Sequence, residues 1–296
     1  MKTKKNCVGA VYRITGIFLA VLLLTITFSC ENSLSEPPPP DLTIQGMSPA
    51  DGALISDTSP TLSWSSLSDA TSYEIQVAES EAGVESSTPE IVNAPDSEYT
   101  IAPALSKGDT RYWRVRARGS DNDYGDWTAI LSFEVVYVIG ETGPAGGIVF
   151  YDKGSYSDGW RYLEAATTNQ GSSNVWGGFN TLVGGTSTAI GTGEANTAAI
   201  VDKFGAAEPW QNFTNYAAKI CYDLEIGIYD DWFLPSKDEL AEMYAQRDLI
   251  GNFDNRSFWS SSEYDIQSAW YHYFNNNLQN TAEEYHPLWV RACRTF

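Results

Sequence analysis

Apolar and polar residues alternate in short runs from Leu42 to Val138, a period that predicts strands rather than helices. The runs are Thr61-Leu62-Ser63-Trp64, Ser72-Tyr73-Glu74-Ile75-Gln76-Val77, Tyr99-Thr100-Ile101, Tyr112-Trp113-Arg114-Val115-Arg116-Ala117 and Leu131-Ser132-Phe133-Glu134-Val135. Turn residues separate them, the pattern of an antiparallel sandwich. After Ile139 the pattern changes. Glycines punctuate the chain up to Gly193, which predicts strands and irregular loops with one strand over Trp160-Arg161-Tyr162-Leu163-Glu164. Helical stripes follow over Asn196 to Phe204 and Asn215 to Leu224. Asp230-Asp231-Trp232-Phe233-Leu234-Pro235 is extended by its proline, and Ser236-Lys237-Asp238-Glu239 is a capping box that starts a helix toward Ile250. The remainder, Ser257 to Phe296, reads as β-hairpins.

The N-terminal pattern is different in kind. Lys2, Lys4, Lys5 and Arg13 precede an uncharged apolar segment, Ile14 to Phe28, which ends at Thr27-Phe28-Ser29-Cys30. As a helix that segment spans about 22 Å, short of the roughly 30 Å hydrocarbon core. An export signal over residues 1–29, cleaved before a lipidated Cys30, fits this better than an uncleaved membrane span. Residues 30–41 carry Pro37-Pro38-Pro39-Pro40 and predict a semi-rigid extended tether. The expected location is the cell envelope of a bacterium, lipid-anchored at the outer membrane or cell surface.

Composition sharpens the picture. The net charge is −20, and loss of the leader, which holds four basic residues and no acid, takes it to −24. Such a surface repels phosphate backbones, so no nucleic-acid partner is expected, and membrane attachment is expected through the N-terminal lipid alone. With Cys7 in the leader and Cys30 lipidated, Cys221 and Cys293 remain as an even pair in an oxidising compartment. A disulfide between them closes a loop of roughly 70 residues and is expected to contribute on the order of 4 kcal/mol. Asp121-Asn122-Asp123-Tyr124-Gly125-Asp126 has Gly at the fifth position and lacks the closing Glu of a calcium loop, so a solvated turn is expected there. Gly191-Thr192-Gly193 lacks the third Gly and the preceding apolar strand of a phosphate loop.

The residues of the sandwich, with Pro60 at its entry and Gly125-Asp126-Trp127 beside its fourth predicted strand, resemble a fibronectin type III domain over residues 42–138. Four later motifs occur in a fixed order: Gly140-Glu141-Thr142-Gly143-Pro144-Ala145-Gly146-Gly147, Asp231-Trp232-Phe233-Leu234-Pro235-Ser236, Phe258-Trp259-Ser260-Ser261-Ser262-Glu263-Tyr264 and Val290-Arg291-Ala292-Cys293-Arg294. Together they resemble the family named for the C-terminal domain of the collagen-like bacterial adhesin Lcl, over residues 139–296. The two resemblances imply a multidomain chain, an all-β immunoglobulin-like sandwich followed by an α+β C-type-lectin-like domain. They also imply ligand binding rather than catalysis, with a glycan or protein as ligand. Some relatives are retroelement-diversified receptors ending in Val-Arg-x-x-Arg-x-Phe, a tail that Val290-Arg291-Ala292-Cys293-Arg294-Thr295-Phe296 fits. Calcium-dependent sugar binding in lectins of this fold uses Glu-Pro-Asn or Gln-Pro-Asp. Glu208-Pro209-Trp210 has Trp in place of the ligand Asn, so no metal and no other cofactor are expected.

Strand alternation in Ala269-Trp270-Tyr271-His272-Tyr273-Phe274-Asn275 sends Trp270, His272 and Phe274 one way and Tyr271, Tyr273 and Asn275 the other. If Trp270 and Phe274 face the core, the tyrosines face out. The expected ligand face is then Asp265, Tyr271, Tyr273, Asn275, Asn276, Asn277, Gln279, Asn280 and Tyr285, since Tyr and Asn dominate adaptable contact surfaces. An exposed hairpin whose asparagines merely suit turns, in a structural envelope component without a ligand, is the rival reading. An enzyme is not expected. His272 reads as inward, His286 has no evident Ser or Cys partner, and Asp230-Asp231 and Glu283-Glu284 read as solvated turn residues. A formylglycine-generating activity, known on a related fold, needs active-site cysteines.

Overall fold

A computed structural model describes residues 40–120, 123–205 and 215–296. The export leader, Cys30, the polyproline up to Pro39, Asp121-Asn122 and Glu208-Pro209-Trp210 lie outside the described residues. The alternating runs close into a sandwich. β1 (Ala53–Ile55), β2 (Thr61–Ser63), β3 (Ser72–Ala78), the one-turn helix α1 (Glu81–Val84), β4 (Glu90–Asn93), β5 (Glu98–Thr100), β6 (Thr110–Arg118) and β7 (Leu131–Val135) follow in order. One layer is β1-β7-β6-β3-β4 and the other is β2-β5. The inward members of the alternation, among them Leu62, Trp64, Tyr73, Ile75, Trp113, Val115, Phe133 and Val135, form the core between them.

Two strands escaped the sequence reading. β1 is three residues long, and β4 is an edge strand exposed on both faces, so neither shows a period. β1 also runs parallel to β7, Ala53 opposite Phe133, so the sandwich is not purely antiparallel. Beyond the turn that holds Asp123 and Tyr124, Trp127 lies under the guanidinium groups of Arg114 and Arg116, at 4.7 and 4.5 Å from its ring centre.

The rest of the chain runs from strands to helices and back to strands. β8 (Ile148–Ser157), β9 (Trp160–Ala165) and β10 (Gly171–Asn174) precede α2 (Gly193–Phe204) and α3 (Ala217–Tyr222). α4 (Lys237–Ala245) begins at the expected capping box, the Ser236 hydroxyl accepting from the Glu239 amide while the Glu239 carboxylate accepts from the Ser236 amide. The helix predicted to continue toward Ile250 breaks at Gln246, and α5 (Arg247–Ile250) follows and ends at Gly251, φ 75°. β11 (Ser257–Asp265), β12 (Ser268–Tyr273), β13 (Leu278–Glu283), β14 (Leu288–Val290) and β15 (Cys293–Thr295) complete the fold.

These last strands are not all hairpins. β14 lies parallel to β11 and antiparallel to β10, in the order β10-β14-β11-β12-β13, while β15 joins β9 and β8 in a separate sheet. Residues Asp41–Phe296 form one compact unit. Among the described residues no helix is long and apolar enough to cross a membrane.

The expected disulfide is absent. Cys221 and Cys293 are free thiols, both fully buried. Cys221 packs on α3 in the cluster of Trp176, Trp232 and Trp259, whereas Cys293 packs on β15 with Phe150, Phe233 and Phe258. Each serves as a small hydrophobe, and burial pushes both thiols up. The stabilisation of this region therefore comes from packing and from the buried ion pairs described next.

Candidate ligand-binding face

β11, β12 and β13 run antiparallel in chain order, so their turns fall at two opposite ends of the sheet. The length of β12 sets those ends roughly 17 Å apart at about 3.4 Å per residue. His272 faces α4, its ring stacked on Tyr244 with centroids 4.7 Å apart, and Phe274 enters the same cluster. Burial lowers the His272 pKa, which favours a neutral ring. Trp270 lies toward the same helix but stays half-buried at its rim, with the Lys237 ammonium 4.6 Å above its ring.

Tyr271 and Tyr273 take the opposite face, as the alternation requires. That face is open only in part. Tyr271 is half-buried, its ring edge-on to Trp259 at 6.4 Å, because a second core packs against this side of the sheet. Tyr273, Leu278 and Asn280 continue the same face, and Asn280 and Leu278 are exposed. Gln279 corrects the expectation. It turns toward α4 and donates to the Lys237 carbonyl at 3.0 Å, which makes it a clip between strand and helix.

The rest of the expected face divides between the two ends of the sheet. Asn275, Asn276 and Asn277 form the β12–β13 turn at one end, with Asn275 and Asn276 exposed. Asn277 holds φ 58°, which the turn requires, and its Oδ1 lies 2.9 Å from His272 Nε2, so it is a turn former. Asp265 and Tyr285 meet at the other end. There Gln267 donates to Asp265 Oδ1 at 2.9 Å and to Asn180 Oδ1 at 2.8 Å, and its carbonyl accepts from the Glu284 amide at 2.9 Å. Tyr285 stacks on His286 and meets Phe179 edge-on, both with centroids 5.0 Å apart, and its hydroxyl donates to Glu283. Tyr264 and Ile266 at this chain reversal are 59% and 48% exposed, the Tyr264 ring edge-on to Trp270 at 5.4 Å.

Beneath this end lies the group that the sequence reading missed. Glu284 is fully buried, and neither carboxylate oxygen has a hydrogen-bond partner. Burial first, then the charges of Glu263 and Asp265, pushes its pKa up to about 9. No sequence signal marks it. Glu283 beside it is exposed, as a solvated turn acid should be, whereas Glu284 is held by backbone bonds on both sides, its amide donating to the Gln267 carbonyl and its carbonyl accepting from the Trp176 backbone amide, each at 2.9 Å.

The four motifs build scaffold. Glu164, fully buried on β9, accepts from the amides of Ala145 and Gly147 at 3.2 and 2.9 Å and from Arg294 Nη1 at 2.7 Å. Arg294 also forks onto Asp231 at 2.6 Å on both oxygens. The first, second and fourth motifs thus meet in one buried ion network, and Asp231 is an ion-pair partner rather than a free turn acid. Two glycines of the first motif are required here. A Cβ on Gly143 would sit 2.5 Å from a Glu164 oxygen, and one on Gly147 2.6 Å from the Ala165 carbonyl oxygen. Arg291 is also fully buried. It donates to the carbonyls of Ala166, Gly251 and Asn252 and to Asn169 Oδ1 at 2.7 to 3.3 Å. In the third motif the buried Ser262 hydroxyl donates to Ser187, and Glu263 receives the amides of Val183 and Gly184, both at 2.8 Å. That motif fixes the glycine-rich loop.

A cavity of about 680 Å³ opens beside α2 and α3, lined by Glu194, Asp223, Glu225, Asp230, Asp231 and Trp232 among others. Among the described residues no three His, Cys, Asp or Glu side chains converge to hold a metal ion.

Residues 40–138 match the family described as Rha78A-like, N-terminal immunoglobulin domain. No curated protein matches the chain. Among solved structures, an α-L-rhamnosidase of Streptomyces avermitilis complexed with L-rhamnose is 25% identical at a TM-score of 0.28, over 32% of this chain and 10% of that one. The match therefore spans a tenth of the rhamnosidase. An Fn3-like protein from Clostridium thermocellum is 20% identical at 0.26, over 32% of this chain and 92% of its own. A fimbrial protein from Bacteroides ovatus is 9% identical at 0.37, over 80% and 66%. The family match and the strand order agree: residues 40–138 form an immunoglobulin or fibronectin type III type of domain.

Proposed function

We propose that this chain is a lipid-anchored bacterial envelope protein that binds a glycan or protein ligand without transforming it. In this reading the second half is a C-type-lectin-like body of the Lcl C-terminal kind, and the sandwich and proline-rich tether carry it away from the membrane. The observation that carries it is the exposure of Asp265, Ile266 and Tyr285 about the β11–β12 turn and the residues that follow β13, with Tyr264 exposed at the end of β11 against Trp270. The buried motif arginines and carboxylates are scaffold, and among the described residues the His272 ring contacts Tyr244, Phe274 and Asn277 while His286 contacts Glu283 and Tyr285.

Two measurements test the reading. Metabolic labelling with a clickable fatty acid should tag the wild-type chain and not Cys30→Ala; equal labelling of both removes the lipid anchor. On an immobilised glycan array and in adhesion of expressing cells to protein-coated surfaces, Tyr264→Ser with Tyr285→Ser should weaken binding by tenfold or more. Asn275→Ser with Asn276→Ser, at the opposite end, should leave it within about twofold. Equal loss from both pairs would refute the assignment to one end of the sheet.

A further inference from the structure

The sandwich and the second half meet at a junction whose chemistry the proposed ligand face does not use. Lys107 of the sandwich donates to the Ser56 and Val136 carbonyls and to Glu141, all within 3.0 Å. Glu134 on β7 accepts from Arg161 Nη1 at 2.9 Å, and Arg161 also forks onto Asp152. Between these pairs, Tyr137 packs edge-on against Tyr162 and Phe296, with centroids 5.4 and 5.1 Å away, and Tyr162 stacks on Phe296 at 5.3 Å. A cleft of about 320 Å³ opens here, walled by those three rings, Tyr156, Glu134 and Arg161 among others. Clefts of this size at such junctions are common ligand sites.

The wall specifies its occupant. Tyr156, 71% exposed, presents its ring at the cleft with its hydroxyl donated to the Gly159 carbonyl at 2.9 Å, while Lys107 and Arg161 already lie over the Tyr137 and Tyr162 rings. Polar capacity is left over. Arg161 uses three of its five N–H groups, and one Glu134 oxygen is beyond the bond to Arg161. A purely apolar ligand would leave those groups unpaired, at a cost. The two cations Lys107 and Arg161 face three carboxylates, Glu134, Glu141 and Asp152, so the charge left over is negative and an anion gains no attraction. A ring with an apolar face and a rim of hydroxyls, each able to donate and accept, meets all three conditions.

We propose that the junction cleft binds one neutral sugar ring, its apolar face on the exposed Tyr156 ring and its hydroxyls toward Glu134 and Arg161. This site is independent of the sheet-end reading and survives its failure. The test is saturation-transfer NMR and titration of the full chain with the methyl glycosides of glucose, galactose and mannose, and with methyl glucuronide as the anionic comparison. At least one neutral glycoside should bind saturably with a dissociation constant on the order of 1 mM or tighter. Tyr156→Ala, at an exposed position where folding should persist, should weaken it tenfold or more, and Tyr264→Ser with Tyr285→Ser should not change it. A matched free sugar and the same sugar ending a trisaccharide distinguish the sources: tighter binding of the trisaccharide supports a glycan end, and equal binding supports the free sugar. Absence of saturable binding by all three glycosides, preference for the glucuronide, or indifference to Tyr156→Ala would overturn the proposal.

Discussion

Glu284→Gln should stabilise the protein by about 3 kcal/mol at pH 7 and flatten its stability between pH 4.5 and 9. The carboxyl is fully buried without a hydrogen-bond partner, and its pKa is pushed up to about 9 from an ordinary 4.5. Between those values the unfolded chain is ionised at this position and the folded chain is protonated, so folding takes up a proton. Stability from this group is full below pH 4.5 and is lost progressively as pH rises toward 9. Each unit corresponds to about 1.4 kcal/mol, which gives about 3 kcal/mol by pH 7. Glutamine keeps the shape and the unpaired polar group but has no proton to take up. Denaturant unfolding of wild type and variant from pH 4 to 9 checks this. Parallel curves would mean that Glu284 ionises in the fold as it does in the unfolded chain.

Arg294→Leu should cost about 3–5 kcal/mol, since it leaves the buried Glu164 without its counter-charge. At about 2–4 °C per kcal/mol for a chain of this size, the melting temperature should fall by roughly 6–20 °C. The loss should fall mainly on Glu164, which is fully buried, rather than on Asp231, whose side chain is 45% exposed and can recover water. Adding Glu164→Gln should therefore recover part of the loss, because it removes the unpaired charge while its one amide oxygen still accepts from one of the Ala145 and Gly147 amides, which bond separate oxygens of Glu164. Calorimetry of the two single variants and the double variant measures the coupling. Additive losses would remove the ion pair from the account of this core.

The two predictions rest on acids of opposite legibility. Asp231 and Arg294 stand out in the sequence because each belongs to a motif, yet nothing in either motif says that they meet each other and Glu164. Glu284 stands in a polar run, Glu283-Glu284-Tyr285-His286, that reads as solvent-facing, and it is the most deeply buried acid near the proposed face. Gln279 and Asn277 look like ligand contacts because Gln and Asn are adaptable in both directions. Their hydrogen bonds go instead to the Lys237 carbonyl and to His272. A side chain that can pair with either a ligand or its own backbone reveals its choice only when the partner, here α4 or the preceding strand, is in place.

Periodicity alone was enough for the sandwich strands with one buried face, for the capping box at Ser236 and for the alternation that separates His272 from Tyr271, because each depends on residues within one element. Charge and cysteine count set the expectation of an exported acidic chain, but the expected disulfide depended on proximity and packing, which the sequence does not contain. Tertiary structure decided the rest. It left Cys221 and Cys293 as free thiols in two core clusters, put parts of the expected ligand face at opposite ends of a sheet, and buried Glu284 near one of them. The physical reason is common to all three. Long-range pairing brings together residues that no local period relates, and burial changes the chemistry of a carboxylate or a thiol only after that pairing has excluded water.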